Sequence, residues 1–223
     1  MIVPYYMRPE HPDYQYNAAQ TALWNLCLEL EPRYILDIGT SGGTSALLAA
    51  RYLEMFQGSE GHVVTLDVVA PRVPLDYPLI TPLQVWPYGT HGLGQYGYWE
   101  GAMTLRSDWE AHIATALDDN AEMAWEALQS VGGKAFDFAY VDGDHSEIGL
   151  LFDLQLVKRL TRPPHYALLD DVYMPKVPAG KLYRGRLQYE YEHYDFDDDG
   201  WSQFEETCPD VWGMPRMALV WEK

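Results

Sequence analysis

Arg33-Tyr-Ile-Leu-Asp-Ile-Gly-Thr-Ser-Gly-Gly-Thr-Ser45 reads as a strand, a glycine turn and the start of a helix. Tyr34, Ile35, Leu36 and Ile38 make the short apolar run of a strand buried on both faces, and Thr44 to Tyr52 switches to helical composition. The change falls on Gly39, Gly42 and Gly43. Glycine is required where the chain takes a positive φ or where a ligand must touch backbone, and the free N–H groups of the following helix start favour an anionic group. The spacing, Asp37-x-Gly39-x-x-x-Gly43-x-Ser45 without a lysine, fits neither the dinucleotide pattern G-x-G-x-x-G nor the phosphate loop G-x-x-x-x-G-K-[ST].

A chain of 223 residues, 48% hydrophobic and with 8 Trp and 17 Tyr, suits one α/β domain with a full core, spanning residues 1–223. Its net charge of -18, from 15 Lys+Arg against 33 Asp+Glu, repels a phosphate backbone and argues against nucleic acid as a partner. The opening MIVPYYMRPEHP lacks a signal-like pattern, and no apolar run approaches the roughly 18 residues of a membrane span. The expectation is a soluble, cytoplasmic protein, its association into a homo-oligomer left open. Cys27 and Cys208 lie far apart and suggest unpaired thiols.

Along the chain, Tyr14 to Glu31 reads as a helix ahead of the first strand, and His62 to Asp67 as the second strand. Val69 to Gly101 is rich in proline, glycine and aromatics, among them Trp86 and Trp99. It reads as an inserted lid-like segment, with packing on the surface as the alternative. Met103 to Ser107 is the candidate third strand, followed by a helix from Ser107-Asp108 to about Gln129. Ala135 to His145 and His165 to Asp171 are further strands ending in acids, with a helix through Ile148 to Leu160 between them, and Arg216 to Trp221 is the last strand.

Ligands of a parallel sheet bind outside the carboxyl ends of its strands, where Asp67, Asp142, Asp170 and Asp171 fall. A strand-end acid such as Asp67 can accept ribose hydroxyls or cap the next loop. Several carboxylates sharing one cleft call for a cation, and hard oxygen ligands suit magnesium; loop-capping acids without metal are the alternative. Asp195-x-Asp197-x-Asp199-Gly200 with Glu206 fits a calcium-loop pattern, but Cys208-Pro209 interrupts the helix that should follow, and an acidic surface loop is the favoured reading.

The glycine stretch resembles motif I of the class I S-adenosylmethionine-dependent methyltransferases. Asp142-Gly-Asp144-His145-Ser146 and Leu168-Leu-Asp170-Asp171-Val172 resemble segments of small-molecule O-methyltransferases of the macrocin and mycinamicin type. The resemblance covers about Tyr34 to Val172, apart from the insertion. It implies a Rossmann-like α/β fold with a mostly parallel seven-stranded sheet and an antiparallel last strand. It implies methyl transfer from S-adenosylmethionine to a hydroxylated small-molecule acceptor, with Mg2+. On it, Gly39, Thr40, Ser41, Gly43 and Ser45 hold the methionine end of the cofactor, Asp67 its ribose, and Ser107 with Asp108 its adenine. Asp142 is implied as a catalytic and cofactor-binding residue and, with Asp170 and Asp171, as a metal ligand. His145 matches the position of the catalytic base, although a lone histidine can equally be structural. Two rivals stand beside this reading: another S-adenosylmethionine-dependent reaction on the same fold, as in cephalosporin hydroxylase-like relatives, and a non-catalytic cofactor-binding or assembly subunit.

Overall fold

The computed structural model describes residues 18–58, 60–68, 76–85, 106–143, 147–170, 201–209 and 215–222. In chain order the elements are α1 (Ala18–Leu30), β1 (Tyr34–Ile38), α2 (Thr44–Phe56), β2 (His62–Asp67), β3 (Ile80–Gln84) and α3 (Arg106–Ser130). They continue as β4 (Phe138–Val141), α4 (Glu147–Leu160), β5 (Tyr166–Leu169), β6 (Trp201–Pro209) and β7 (Pro215–Glu222). One seven-stranded sheet runs β3-β2-β1-β4-β5-β7-β6. β3, β2, β1, β4 and β5 pair in parallel, and β7 runs antiparallel to both β5 and β6. The expected fold class, with its antiparallel last strand, is the one observed.

Each central strand buries both faces, which explains its mainly apolar composition. Ile35, Val63, Phe138, Tyr140 and Leu168 face the cluster built with α1 and α2. Their sequence neighbours Leu36, Val64, Ala139, Leu169 and Val141 face the cluster built with α3 and α4. Burying such an aliphatic or phenyl side chain contributes about 1.5–3 kcal/mol. On the first face Trp24 of α1 meets the Tyr52 ring edge-on at 6.3 Å, and Tyr52 stacks on Phe56 at 5.5 Å. Cys27 is buried beside them as an unpaired thiol whose pKa burial pushes up, so it packs as a small apolar group. The side chain of Cys208, in β6, lies outside the described residues. Among the described residues no helix is long and apolar enough to cross a membrane.

Three sequence readings need correction. The third strand is Ile80–Gln84, inside the stretch taken as an insertion, and Met103 to Ser107 is not that strand, because Arg106 already opens α3. Pro82 hid it: a proline argues against a strand, yet β3 is the sheet edge, where a missing N–H is tolerated. The helix expected from Ser107-Asp108 is α3, with both residues in its first turn. Trp201–Pro209 is a strand paired with β7, so the second half of the calcium-loop pattern, and of the acidic loop preferred to it, is neither loop nor helix. The rest of that pattern, and the aromatic stretch holding Trp86 and Trp99, lie outside the described residues. The start of the first helix, Tyr14 to Asn17, does so too.

Candidate functional site

Strand register assembles the site. Leu66, Ile38, Val141 and Leu169 are level across β2, β1, β4 and β5, so the residues that follow them, Asp67, Gly39, Asp142 and Asp170, form a row along the carboxyl edge. Two residues back, on the same face, lies a second row of Thr65, Asp37, Tyr140 and Leu168. Residues far apart in sequence, Asp67 and Asp170 among them, are brought to one edge by the parallel pairing alone.

The glycine turn is built for close approach. Gly39 has φ +95, and a Cβ there would sit 2.0 Å from the Asp142 carbonyl oxygen, so no other residue fits between β1 and the turn after β4. Its N–H donates to Leu66 O at 2.9 Å. Thr40 is buried, Ser41 is exposed with φ 42, and Gly43, with φ 77, is the N-cap of α2. Gly43 supplies no side-chain cap, which leaves first-turn amides of α2 to a ligand or water. Asp67 Oδ2 accepts the Ser41 N–H at 2.8 Å, so this acid ties down the glycine turn earlier in the chain.

Beneath the turn is a residue to which the sequence reading gave no role. Asp37 is 1% exposed, one residue before the end of β1. Its Oδ2 accepts from the Thr65 hydroxyl, and the Thr40 and Thr65 hydroxyl oxygens are 2.6 Å apart. Thr65 has one proton and gives it to Asp37, so Thr40 donates to Thr65. Asp37 Oδ1 meets no hydrogen-bond partner among the described residues. Burial pushes this carboxyl up to about 7; the Thr65 and Ser45 hydroxyls pull it down, and the charges of Asp142 and Asp67 push it up. A charge interrupting an apolar strand, as in YILDI, was the available signal.

The acids of β4 and β5 are next to one another. Asp142 is half-buried and its N–H donates to Ile38 O at 2.8 Å; Asp170 is 1% exposed and its N–H donates to Val141 O at 2.9 Å. The buried Tyr140 hydroxyl donates to Asp170 Oδ2 at 2.8 Å. Burial, then the charge of Asp170, pushes the Tyr140 phenol well up, so it remains a donor. Buried Asp153 of α4 abuts the turn after β4, since a Cβ on Gly143 would lie 2.6 Å from its Oδ2. Asp171 and His145 lie outside the described residues, as do the side chains of Ser107 and Asp108. Among the described residues no group of three or more His, Cys, Asp or Glu could hold a metal ion. The structure thus brings together Gly39, Thr40, Ser41, Gly43, Ser45, Asp67, Asp142 and Asp170.

A family model described as a methyltransferase domain matches residues 36–172. Among solved structures, the chain is similar to the O-methyltransferase from Bacillus cereus in complex with SAH, with 19% identity, 92% of this chain and 80% of that one covered, and a TM-score of 0.46. It is also similar to the O-methyltransferase TomG from Streptomyces achromogenes, involved in tomaymycin synthesis and in complex with SAM (18% identity, 92% and 79% covered, TM-score 0.44). A third, described as cmcI-D160 Mg-SAM, has 16% identity, 96% and 72% covered, and a TM-score of 0.45. No protein of curated description matches the chain in sequence.

Proposed function

Since the chain belongs to the methyltransferase-domain family, we propose that it transfers a methyl group from S-adenosylmethionine to a hydroxyl of a small molecule, assisted by magnesium. The observation that carries this reading is the carboxyl-edge row, with the Gly39 cradle between Asp67 and Asp142. Both groups suit the residues present. The cradle leaves no room for a Cβ, and beneath it Asp37 keeps a buried carboxyl oxygen with no hydrogen-bond partner among the described residues, a polar group that a ligand can satisfy. Asp142 and Asp170 on neighbouring strand ends are hard oxygen donors of the type magnesium takes.

Gly39, Thr40, Ser41, Gly43 and Ser45 would hold the methionine end of the cofactor, Asp67 its ribose, and Ser107 with Asp108 its adenine. Asp142, Asp170 and Asp171 would hold the metal. When bound, S-adenosylmethionine supplies an electrophilic methyl group and magnesium supplies positive charge beside the acceptor oxygen. His145, three residues after Asp142, would take the proton that the acceptor hydroxyl gives up. Trp86 and Trp99 would supply aromatic area for choosing the acceptor.

Calorimetry with S-adenosylhomocysteine, followed by turnover on a panel of alcohols and phenols with and without chelator, tests the reading. Micromolar cofactor binding and chelator-sensitive methylation of at least one hydroxyl are expected. Absence of cofactor binding would overturn the cofactor assignment, and full activity in excess chelator would overturn the metal assignment alone.

A further inference from the structure

We propose that Tyr140 is a positioning residue of this site, which fixes the carboxylate of Asp170 for a divalent cation. The inference rests on the metal reading above. Three observations support it. Val141 pairs with Leu169, so Tyr140 and Asp170 sit diagonally across β4 and β5 on one face, and the phenol reaches Asp170 Oδ2 at 2.8 Å. The Tyr140 ring is 4% exposed and packed in the core cluster on the α1 and α2 side, so the donor is held by packing before any ligand arrives. The strand that carries Tyr140 delivers Asp142 two residues later, so one rigid element both supplies an acid and sets the orientation of its neighbour.

A carboxylate that must rotate into place loses affinity to the ordering of its own torsions, and a fixed hydrogen bond to one oxygen removes that loss. A phenol suits the task because it gives one hydrogen bond and carries no charge to compete with a cation. Without the phenol, Asp170 Oδ2 would be a buried carboxylate oxygen that has lost this donor.

The test is manganese binding, read by electron paramagnetic resonance in the presence of S-adenosylhomocysteine, on the wild type, Tyr140→Phe, Asp170→Asn and the double variant. Calorimetric affinity for S-adenosylhomocysteine is measured on the same samples. Tyr140→Phe should weaken manganese binding by about 10–100-fold, the range typical of residues supporting a metal ligand, and change S-adenosylhomocysteine affinity less than about twofold. In the Asp170→Asn background the same substitution should add nothing, because its effect runs through Asp170; that pair also leaves no unpaired buried charge, which protects the fold. Equal manganese affinity in wild type and Tyr140→Phe overturns the inference while leaving the metal reading intact. Parallel loss of cofactor affinity, or an undiminished effect in the Asp170→Asn background, also overturns it, since the hydroxyl would then support the fold at large. A wild type that binds no manganese refutes the metal reading, and the inference with it.

Discussion

Replacing Asp37 with asparagine should change the pH dependence of stability more than its value at any one pH. In the folded chain the carboxyl titrates at about 7, against an ordinary 3.8, chiefly because it is buried. Between those values the native state holds a proton that the unfolded chain has released, so wild-type stability falls as pH rises through this window and changes no further above it. About three pKa units at ~1.36 kcal/mol each give about 4 kcal/mol over the whole window, as an order of magnitude. The asparagine side chain has no such proton and keeps an acceptor for the Thr65 hydroxyl. The unfolding free energy of Asp37→Asn relative to wild type should therefore rise by about 1.4 kcal/mol per pH unit from pH 5 to about 7, then level off. From pH 5 to 8 the gain is about 3 kcal/mol, or roughly 6–12 °C in Tm for a chain of this size. Urea unfolding of both proteins at pH 5, 6, 7 and 8 and constant ionic strength measures it, with the titration of groups not coupled to Asp37 cancelling in the difference. A difference constant to within about 0.5 kcal/mol across that range would mean that Asp37 is ionised throughout, and the reasoning from its burial would be wrong.

Gly39→Ala forces a positive φ on an L side chain and drives its Cβ into the Asp142 carbonyl, so it should destabilise the chain by more than about 2 kcal/mol and abolish S-adenosylhomocysteine binding; a variant of wild-type stability that still binds would refute the cradle. Asp67→Ala removes the charged acceptor of the Ser41 N–H and should weaken cofactor binding about 10–100-fold while speeding hydrogen exchange at the Ser41 amide. Faster exchange with unchanged affinity would restrict Asp67 to holding the turn. His145→Ala should lower turnover by about a hundredfold and remove the rising limb of the pH profile with an alcohol acceptor; an unchanged profile would make His145 structural.

The central part of the fold was legible in local composition. The strands at Tyr34 to Ile38, His62 to Asp67 and Phe138 to Val141 are short apolar runs because each buries both faces, and a run of that kind needs no partner to be recognised. Gly39 was legible for a related reason, since the steric demand it meets excludes every other residue type and so marks the turn directly. The edges of the sheet were not. β3 contains Pro82 and buries only Ile80 fully, and β6 carries Glu205 and Glu206 in a stretch that imitates the end of a cation-binding loop. An edge strand is defined by the neighbour it joins, and its own composition is weakly constrained.

The strand-end acids could be read one by one, but not how they are shared. That Asp67 holds Ser41, that Tyr140 holds Asp170, and that Thr40 and Thr65 relay to Asp37 are consequences of register between strands separated by 25 to 30 residues. Hydrogen bonds of that kind leave no periodicity in the chain. The raised pKa of Asp37 depends in the same way on the walls closed around it by α2, β2 and β4. Residue types along single strands thus determined the chemistry available at the carboxyl edge. Only the lateral order of the sheet decided which groups meet there, because parallel pairing sets distances that no stretch of one strand contains.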